Sequence, residues 1–352
     1  MEVLIMDEKF QQVCLIDAFE SLIWTERYHG FGDFEIYTPA NAELMRTVKQ
    51  DYYAWLKDSD QVMIVEEVQI STEVETGGHL TISGRSLESI LDRRIIWQQT
   101  VLNGNLQNGI KKLITENVIS PAIGDRKIAG FVFQDSQDPH VTGLSIRAQY
   151  TGDNLYETIE TICKAYNLGF QITLNEQNQF VFMLYSGADR SYDQSVNPYV
   201  IFSPRFENII NSNYLESKKT LKNVTLVAGE DEGTTRRTRI VGTGKDLNRR
   251  EIYTDARDVQ SETQDGKLSD AEYNAQLDQR GREKLSEHPF TKSFEGQVES
   301  TQTFVYGKDF YKGDIVQIVN EYGIESKVRV IEIVRAQDTT GYETYPTFSV
   351  VE

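Results

Sequence analysis

Hydrophobic and polar residues alternate at both ends of this 352-residue chain, while the middle follows a different rhythm. Alternation with period two puts one set of side chains on one face of a strand, so each end must build a sheet that buries one face. Within the first 84 residues, Asp33 to Thr38 alternates Phe34 and Ile36 with Glu35 and Tyr37. Tyr52 to Lys57 and Gln61 to Ile70 are rich in β-branched and aromatic residues, Thr76-Gly77-Gly78 signals a turn, and His79 to Ser83 alternates again. A short helix over Ala40 to Val48 interrupts them after Pro39. From Gly296 to Glu352 strands are predicted at Val298 to Tyr306, Asp314 to Val319, Lys327 to Arg335 and Tyr345 to Val351. The two ends also share an order. Ile64-Val65-Glu66-Glu67-Val68, a Thr76-Gly77 turn and Leu80-Thr81-Ile82-Ser83 are matched by Val330-Ile331-Glu332-Ile333-Val334, a Thr340-Gly341 turn and Thr347-Phe348-Ser349-Val350. Such a repeat points to two copies of one β unit.

The pattern changes at Gly84. Ser86 is placed to cap a helix, Glu88 to sit in its positive first turn, Leu87, Ile90 and Leu91 to form its apolar face, and Arg93 and Arg94 to complement its C-terminal end. Amphipathic helices are expected near Leu106 to Val118 (Leu106, Ile110, Leu113, Ile114) and after Asp153 (Leu155, Ile159, Ile162, Tyr166), with Gly169 as C-cap. Phe170 to Leu174 and Gln179 to Tyr185 make a hairpin around residues 175–178. The middle third is therefore α+β. A strand follows at Lys222 to Ala228, and residues 230–296 are polar, with one helix opened by the capping box Ser269-Asp270-Ala271-Glu272.

Composition narrows the function. The net charge is −18, and residues 1–84 carry 16 acidic against 5 basic side chains, or −11. A surface of that sign repels phosphate and argues against a DNA-binding groove. No run approaches the ~18 apolar residues of a membrane span, and Val3 to Met6 meets Asp7, Glu8 and Lys9 too soon for a signal peptide. Cys14 and Cys163 are too far apart for a redox or zinc pair, consistent with synthesis in a reducing cytosol, so the glycosylation triplet Asn223-Val224-Thr225 is discounted.

The familiar catalytic patterns each fail on this sequence. His29, His79, His140 and His288 have no partner at metal-ligand spacing, and neither HExxH nor GxSxG occurs. Gly242-Thr243-Gly244-Lys245 fails as a phosphate loop, because Arg239 and Asp246 stand where Gly and Ser or Thr are needed. Asp265-Gly266 with Glu272 fails as a calcium loop, because Ser261 and Thr263 occupy ligand positions. Arg236, Arg237, Arg239, Lys245, Arg249 and Arg250 lie among acids and read as a solvated face or a subunit contact. No catalytic residue, cofactor site or metal site is assigned.

Two segments carry a resemblance. Residues 17–39 read DAFESLIWTERYHGFGDFEIYTP and residues 78–97 read GHLTISGRSLESILDRRIIW. Together they resemble the hub proteins of siphophage tails and Gram-positive prophages, namely the N-terminal region of tail-associated lysins, a family similar to the myophage baseplate hub and the N-terminal part of VgrG spikes. The motif residues are Trp24, Tyr28, Phe31, Gly32, Phe34, Gly84, Arg85, Ser86, Leu87, Ile90, Leu91, Arg93 and Arg94. The local reading packs Trp24, Tyr28, Phe31 and Phe34 into a β core, with Gly30 or Gly32 allowing a turn. The resemblance implies a β-rich α+β fold: two related β-barrel-like tube domains around a channel, with α+β domains outside. It divides the chain into a first β domain at 1–84, an α+β domain at 85–205, a second β domain at 206–229 and 297–352, and a polar helical insertion at 230–296.

The same resemblance implies a virion tail-tip or baseplate protein, made in the bacterial cytoplasm, that acts as a homotrimeric ring. The ring adapts a sixfold tail tube to a threefold tip. Its expected partners are further copies of itself, a distal tail or tail tube protein, a tape measure protein and a tail fibre or spike, with DNA passing through unbound and no membrane anchor. Longer members carry C-terminal hydrolase or fibre regions. This sequence ends at Glu352, soon after the last strand pattern, which predicts no hydrolase here. Two other classes are weighed: a cell-wall hydrolase component, marked by a catalytic group in a deep pocket, and a host-surface carbohydrate-binding module, marked by a shallow groove lined with Trp or Tyr.

Overall fold

A computed structural model describes residues 1–73, 77–263, 266–297 and 303–351. The first region holds strands β1 (Val3–Met6), β2 (Gln12–Ile16), β3 (Ser21–Arg27) and β4 (Asp33–Pro39), helix α1 (Ala42–Thr47), and strands β5 (Tyr53–Leu56), β6 (Val62–Glu73) and β7 (Gly77–Ser86). A 3-10 helix, Leu87–Arg93, leads into β8 (Thr100–Asn105), α2 (Leu106–Ile114), β9 (Phe131–Gln134), α3 (Pro139–Thr142), β10 (Ser145–Tyr150), α4 (Leu155–Ala165), β11 (Gly169–Leu174) and β12 (Phe180–Tyr185). Then come β13 (Ile201–Phe202), β14 (Ile210–Ser217), β15 (Val224–Ala228), β16 (Thr238–Gly242), β17 (Glu251–Asp255), β18 (Glu262–Thr263), β19 (Gly266–Lys267) and α5 (Asp270–Ser286). The last strands are β20 (Thr291–Gln297), β21 (Ile315–Val319), β22 (Glu325–Asp338) and β23 (Tyr342–Val350).

The fold is β-rich α+β, and thirteen strands from both ends share one sheet. On one side the order is β3-β4-β7-β6-β5, extended by β1 and β2. On the other it is β14-β20-β23-β22, with β21 also on β22 and β13 parallel to β21. Numbered from β3 in one half and β14 in the other, counting only strands of this sheet, both halves run first-second-fifth-fourth-third. The long hairpins agree in detail. β6 bulges between Val65 and Glu67 against β7, and β22 between Val330 and Glu332 against β23. Phe34 of β4 stands opposite Trp24 and Gly84, as Phe294 of β20 stands opposite Tyr214 and Phe348.

The two halves meet where β22, residues 332–338, runs antiparallel to β3. β22 gives this edge to β3, and among the described residues none of the sheets closes into a barrel, unlike the barrel-like expectation. Each half has its own buried cluster, one around Trp24, Phe34, Met63 and Ile82, the other around Phe202, Phe294, Phe310 and Phe348. The middle region packs the apolar stripes of α2 and α4 onto the sheets β10-β8 and β11-β12-β9, with Leu106, Ile110, Leu113, Leu155, Ile159 and Ile162 buried.

Several local expectations shift. Of the strand expected at Lys222 to Ala228, Val224–Ala228 forms β15, but it lies between β16 and β17 in a separate three-stranded sheet and packs on α5, not in the large sheet. β20, inside the stretch expected to be polar insertion, pairs with β14. The predicted α2 helix keeps α geometry only to Ile114 and finishes in a π-helical turn to Ile119. The left-handed residue after α4 is Asn167, with φ 53°, so Gly169 is free to start β11. Gly169 is required there for closeness: a Cβ would stand 2.3 Å from the Tyr28 ring. The capping box of α5 is present as read. Of the expected strand Val298 to Tyr306, residues 298–302 lie outside the described residues, as do Thr76 of the first turn and Asp265 of the rejected calcium loop.

Candidate functional site

β4 and β7 are neighbours, so the two motif segments lie side by side and form one joint between the large sheet and the α+β region. Asp33 stands opposite Arg85 and Phe34 opposite Gly84. The backbones approach too closely for side chains at two points. A Cβ on Gly84 would lie 1.8 Å from the carbonyl oxygen of Ile64, beside the β6 bulge, and one on Gly32 would lie 2.0 Å from that of Thr25. Neither glycine has a positive φ, so proximity and not turn conformation is what they supply.

Ser86 takes the N-cap position of the 3-10 helix, but its side chain makes no capping bond. Its hydroxyl accepts from the Gly32 amide at 2.8 Å and donates to Glu88, while its own amide donates to the Gly32 carbonyl. Glu88 stands in the first turn, as expected, but it is buried and accepts from the Ile172 amide at 2.9 Å. Burial pushes its carboxyl above the usual range, against the pull of Lys312 and of the bonds from Ser86 and Ile172. Leu87, Ile90 and Leu91 are buried in the α+β core. Phe31 is half-buried; it packs on Tyr156, with the Arg85 guanidinium 4.8 Å from its ring centre. Arg85 also grips Glu66 through two nitrogens and reaches Asp92. Arg93 pairs with Asp51, and Arg94, the residue closing the helix, donates to the Arg126 carbonyl.

Trp24, Tyr28 and Phe34 are buried. Trp24 and Phe34 lie in the first β core, whereas Tyr28 pins three parts of the chain. Its hydroxyl donates toward the carbonyls of Asn167 and Ser186, its ring meets Tyr185 edge-on, and Arg329 of β22 lies 5.2 Å above it. The neighbouring His29 sits at 2.9 Å from the Leu168 carbonyl through Nδ1, and desolvation lowers its pKa to about 4. Across the β3–β22 seam, Arg335 pairs with Glu26 at 2.6 Å, both buried, and Tyr306 and Ser59 donate to the same carboxylate. Arg27 on the exposed side holds Glu332 and Asp33. Sequence reading missed this seam, because its partners are 305 and 309 residues apart and carry no local pattern.

The remaining groups have local uses. His79 stacks on Tyr37 and lies 3.5 Å from Glu20. Arg236, Arg237, Arg239 and Arg249 are paired within the chain to Asp255, Asp270, Asp278 and Glu251, and Arg250 donates to the Lys218 carbonyl. A pocket of about 530 Å³ between α4 and α5 is lined by Asp153, Asp255, Arg280 and the buried Glu283, whose carboxyl burial pushes upward. Tyr150 and Gln279 both donate to Glu283, and Arg280 lies beside it, which ties it into the packing of α5. Trp97 is 55% exposed with Arg126 over its ring, and its pocket holds no second Trp or Tyr. No described helix is long and apolar enough to cross a membrane.

Comparison with known proteins agrees with this architecture. A 43 kDa tail protein of prophage MuSo2 from Shewanella oneidensis aligns over 100% of this chain and 98% of its own, with TM-score 0.59 and 13% identity. Prophage tail protein gp18 from Listeria monocytogenes EGD-e aligns over 99% and 94%, with TM-score 0.56 and 13% identity. A component of the type VI secretion system from E. coli, the c3393 protein, covers 95% of this chain and 74% of its own at 10% identity, with a TM-score of 0.46, too loose to carry an argument. No curated protein matches the sequence. The profile of the Siphovirus ReqiPepy6 Gp37-like protein family matches residues 2–348, so the chain belongs to that family of phage tail proteins.

Proposed function

We propose that the protein is a tail hub subunit that assembles as a trimeric ring and adapts a sixfold tube to a threefold tip. The observation that carries this reading is the repeated strand order within one chain. Three chains with two like units each offer six similar edges to a tube and three identical ones to a tip, and cyclic closure prevents open growth. The division into β units at 1–84 and at the chain's end, an α+β region at 85–205 and an insertion belongs to the same proposal. The strand pairings favour insertion limits near 218–290, since β14 and β20 are partners and β15 is not in their sheet. The thirteen motif residues act as structural groups at the joint.

In this reading the acidic first unit lines the channel, so DNA passes without sticking. The partners are a distal tail or tube protein, the tape measure protein and a fibre or spike, at the virion tail tip. The protein has no enzymatic role: Glu283, the pocket-lining acid with a raised pKa, is held as a packing group. Single-particle imaging of the concentrated protein tests the ring. Threefold particles with six similar lobes around an axial opening are expected; twofold particles or open filaments would contradict it.

A further inference from the structure

We propose that the junction of the two β halves and the α+β region binds a small cluster of internal water molecules, held by the side chains of Gln61, Lys312, Tyr185 and Arg335. The site lies inside one chain, so it is independent of the ring reading.

Two sets of hydrogen bonds approach this junction from opposite sides. On the β3 side, Glu26 accepts from Arg335, from Tyr306 at 2.8 Å and from the Ser59 hydroxyl at 3.0 Å. That hydroxyl in turn accepts from the Gln61 backbone amide at 3.1 Å. On the side of the 3-10 helix, Glu88 accepts from Ser86, whose hydroxyl accepts from the Gly32 amide. Gln61 lies between the two sets, because its side-chain oxygen is 3.1 Å from the point that a Gly32 Cβ would occupy. Lys312 approaches from the second half. Its charge acts on Glu88, and its backbone amide acts on the Tyr306 hydroxyl. The next residue, Gly313, packs so closely that a Cβ there would stand 2.6 Å from the Tyr28 ring and 3.2 Å from the Tyr185 ring. The Tyr185 hydroxyl lies within the fields of Tyr28, Tyr306, Glu88 and Glu26.

Five buried atoms of this group have no hydrogen-bond partner among the described residues: Gln61 Oε1 and Nε2, Lys312 Nζ, the Tyr185 hydroxyl and Arg335 Nε. Gln61, Lys312 and Arg335 are 2%, 7% and 8% exposed, so bulk solvent does not serve them. A buried donor or acceptor left unmade is costly, and an ammonium group more so. The ligand must both accept and donate, since the Gln61 amide presents an N–H and a carbonyl together. Water does both, whereas a simple ion does one. Charge points the same way. Glu26 and Glu88 offset Arg335 and Lys312, so an anion would face two carboxylates and a cation would face an ammonium and a guanidinium. An internal water makes about three hydrogen bonds, so the five atoms call for about two molecules.

A crystal structure of the full chain, at a resolution that shows ordered water, tests the site. About two solvent peaks are expected, with each of the five atoms in hydrogen-bond reach of one of them. Gln61 and Lys312 bonded to protein groups, with no solvent peak between them, would overturn the proposal. A bromide soak separates water from an anion. No anomalous peak is expected, and one beside Lys312 would replace the water with an anion. Both arms use the unaltered chain, so neither depends on a variant that folds. In solution, oxygen-17 relaxation dispersion reports long-lived internal waters. Gln61→Met removes both amide atoms at similar volume and should lower that signal, while Lys308→Met, at an exposed position, should not. An unchanged signal in folded Gln61→Met overturns the site, as does an equal fall in Lys308→Met.

Discussion

At the scale of single residues, the joint depends on contacts that leave no room for change. The Gly84 Cα faces the Ile64 carbonyl across the β6 bulge, so Gly84→Ala forces two backbones apart. A loss of about 3 kcal/mol is expected, read as a lower denaturation midpoint at unchanged slope, while Ser83→Ala should cost little. His29 gives a pH signature. Its folded pKa of about 4 lies below the ordinary 6.5, so the unfolded chain takes up the proton first as pH falls. Stability is therefore lost between roughly pH 6.5 and 4. Because the ring is only partly buried, the loss relative to a His29→Asn variant should be about 1–2 kcal/mol between pH 7.5 and 4.5. A stability difference that does not move with pH would show that His29 is solvated.

At the scale of elements, β22 is the strand that makes two halves into one sheet, and the Glu26–Arg335 pair is its buried fastening. Arg335→Met leaves a buried carboxylate without its cation and should cost about 3–5 kcal/mol, while the double variant with Glu26→Gln should recover much of it. Equal losses in single and double variants would mean that packing, not charge pairing, holds the seam. The sequence made part of this architecture legible. Alternation revealed β4 and β7, β-branched and aromatic runs revealed β5 and β6, strand patterning near the chain's end revealed β21 to β23, helical spacing revealed α2 and α4, and Ser269 with Glu272 marked the start of α5, because each signal is local. β3 pairing with β22 was invisible, since it joins positions about 310 residues apart and depends on which edge a strand offers. Likewise, Lys222 to Ala228 shows strand character but not which sheet receives it. At the site, Phe34 and Leu87 could be read as core from their apolar phase. Ser86 and Glu88 were legible as helix-start residues, but their bonds to Gly32 and Ile172, which bury both side chains, were not.

At the scale of the whole molecule, a structural protein and an enzyme behave differently. Zymography on purified cell walls should show no lytic band. A band that survives repurification and disappears in Glu283→Gln would replace the hub reading with a hydrolase at the α4–α5 pocket. Assembly should also respond to salt in one direction. Residues 1–84 carry −11 of the net −18, and three such surfaces around one axis repel. Salt screens that repulsion, with a Debye length of about 10 Å at 0.1 M and about 3 Å at 1 M, but barely weakens apolar contacts and strand pairing. Of the cations that could form competing inter-subunit pairs, Arg236, Arg237 and Arg249 are in ion pairs within the chain, and Arg250 donates to the Lys218 carbonyl. Sedimentation equilibrium of the micromolar protein between about 0.05 and 1 M NaCl distinguishes a ring from a lone chain. The mass should rise from one chain of 40.3 kDa toward three. A mass that falls as salt rises would contradict the acidic channel, and a single-chain mass throughout, even at high concentration, would contradict the ring.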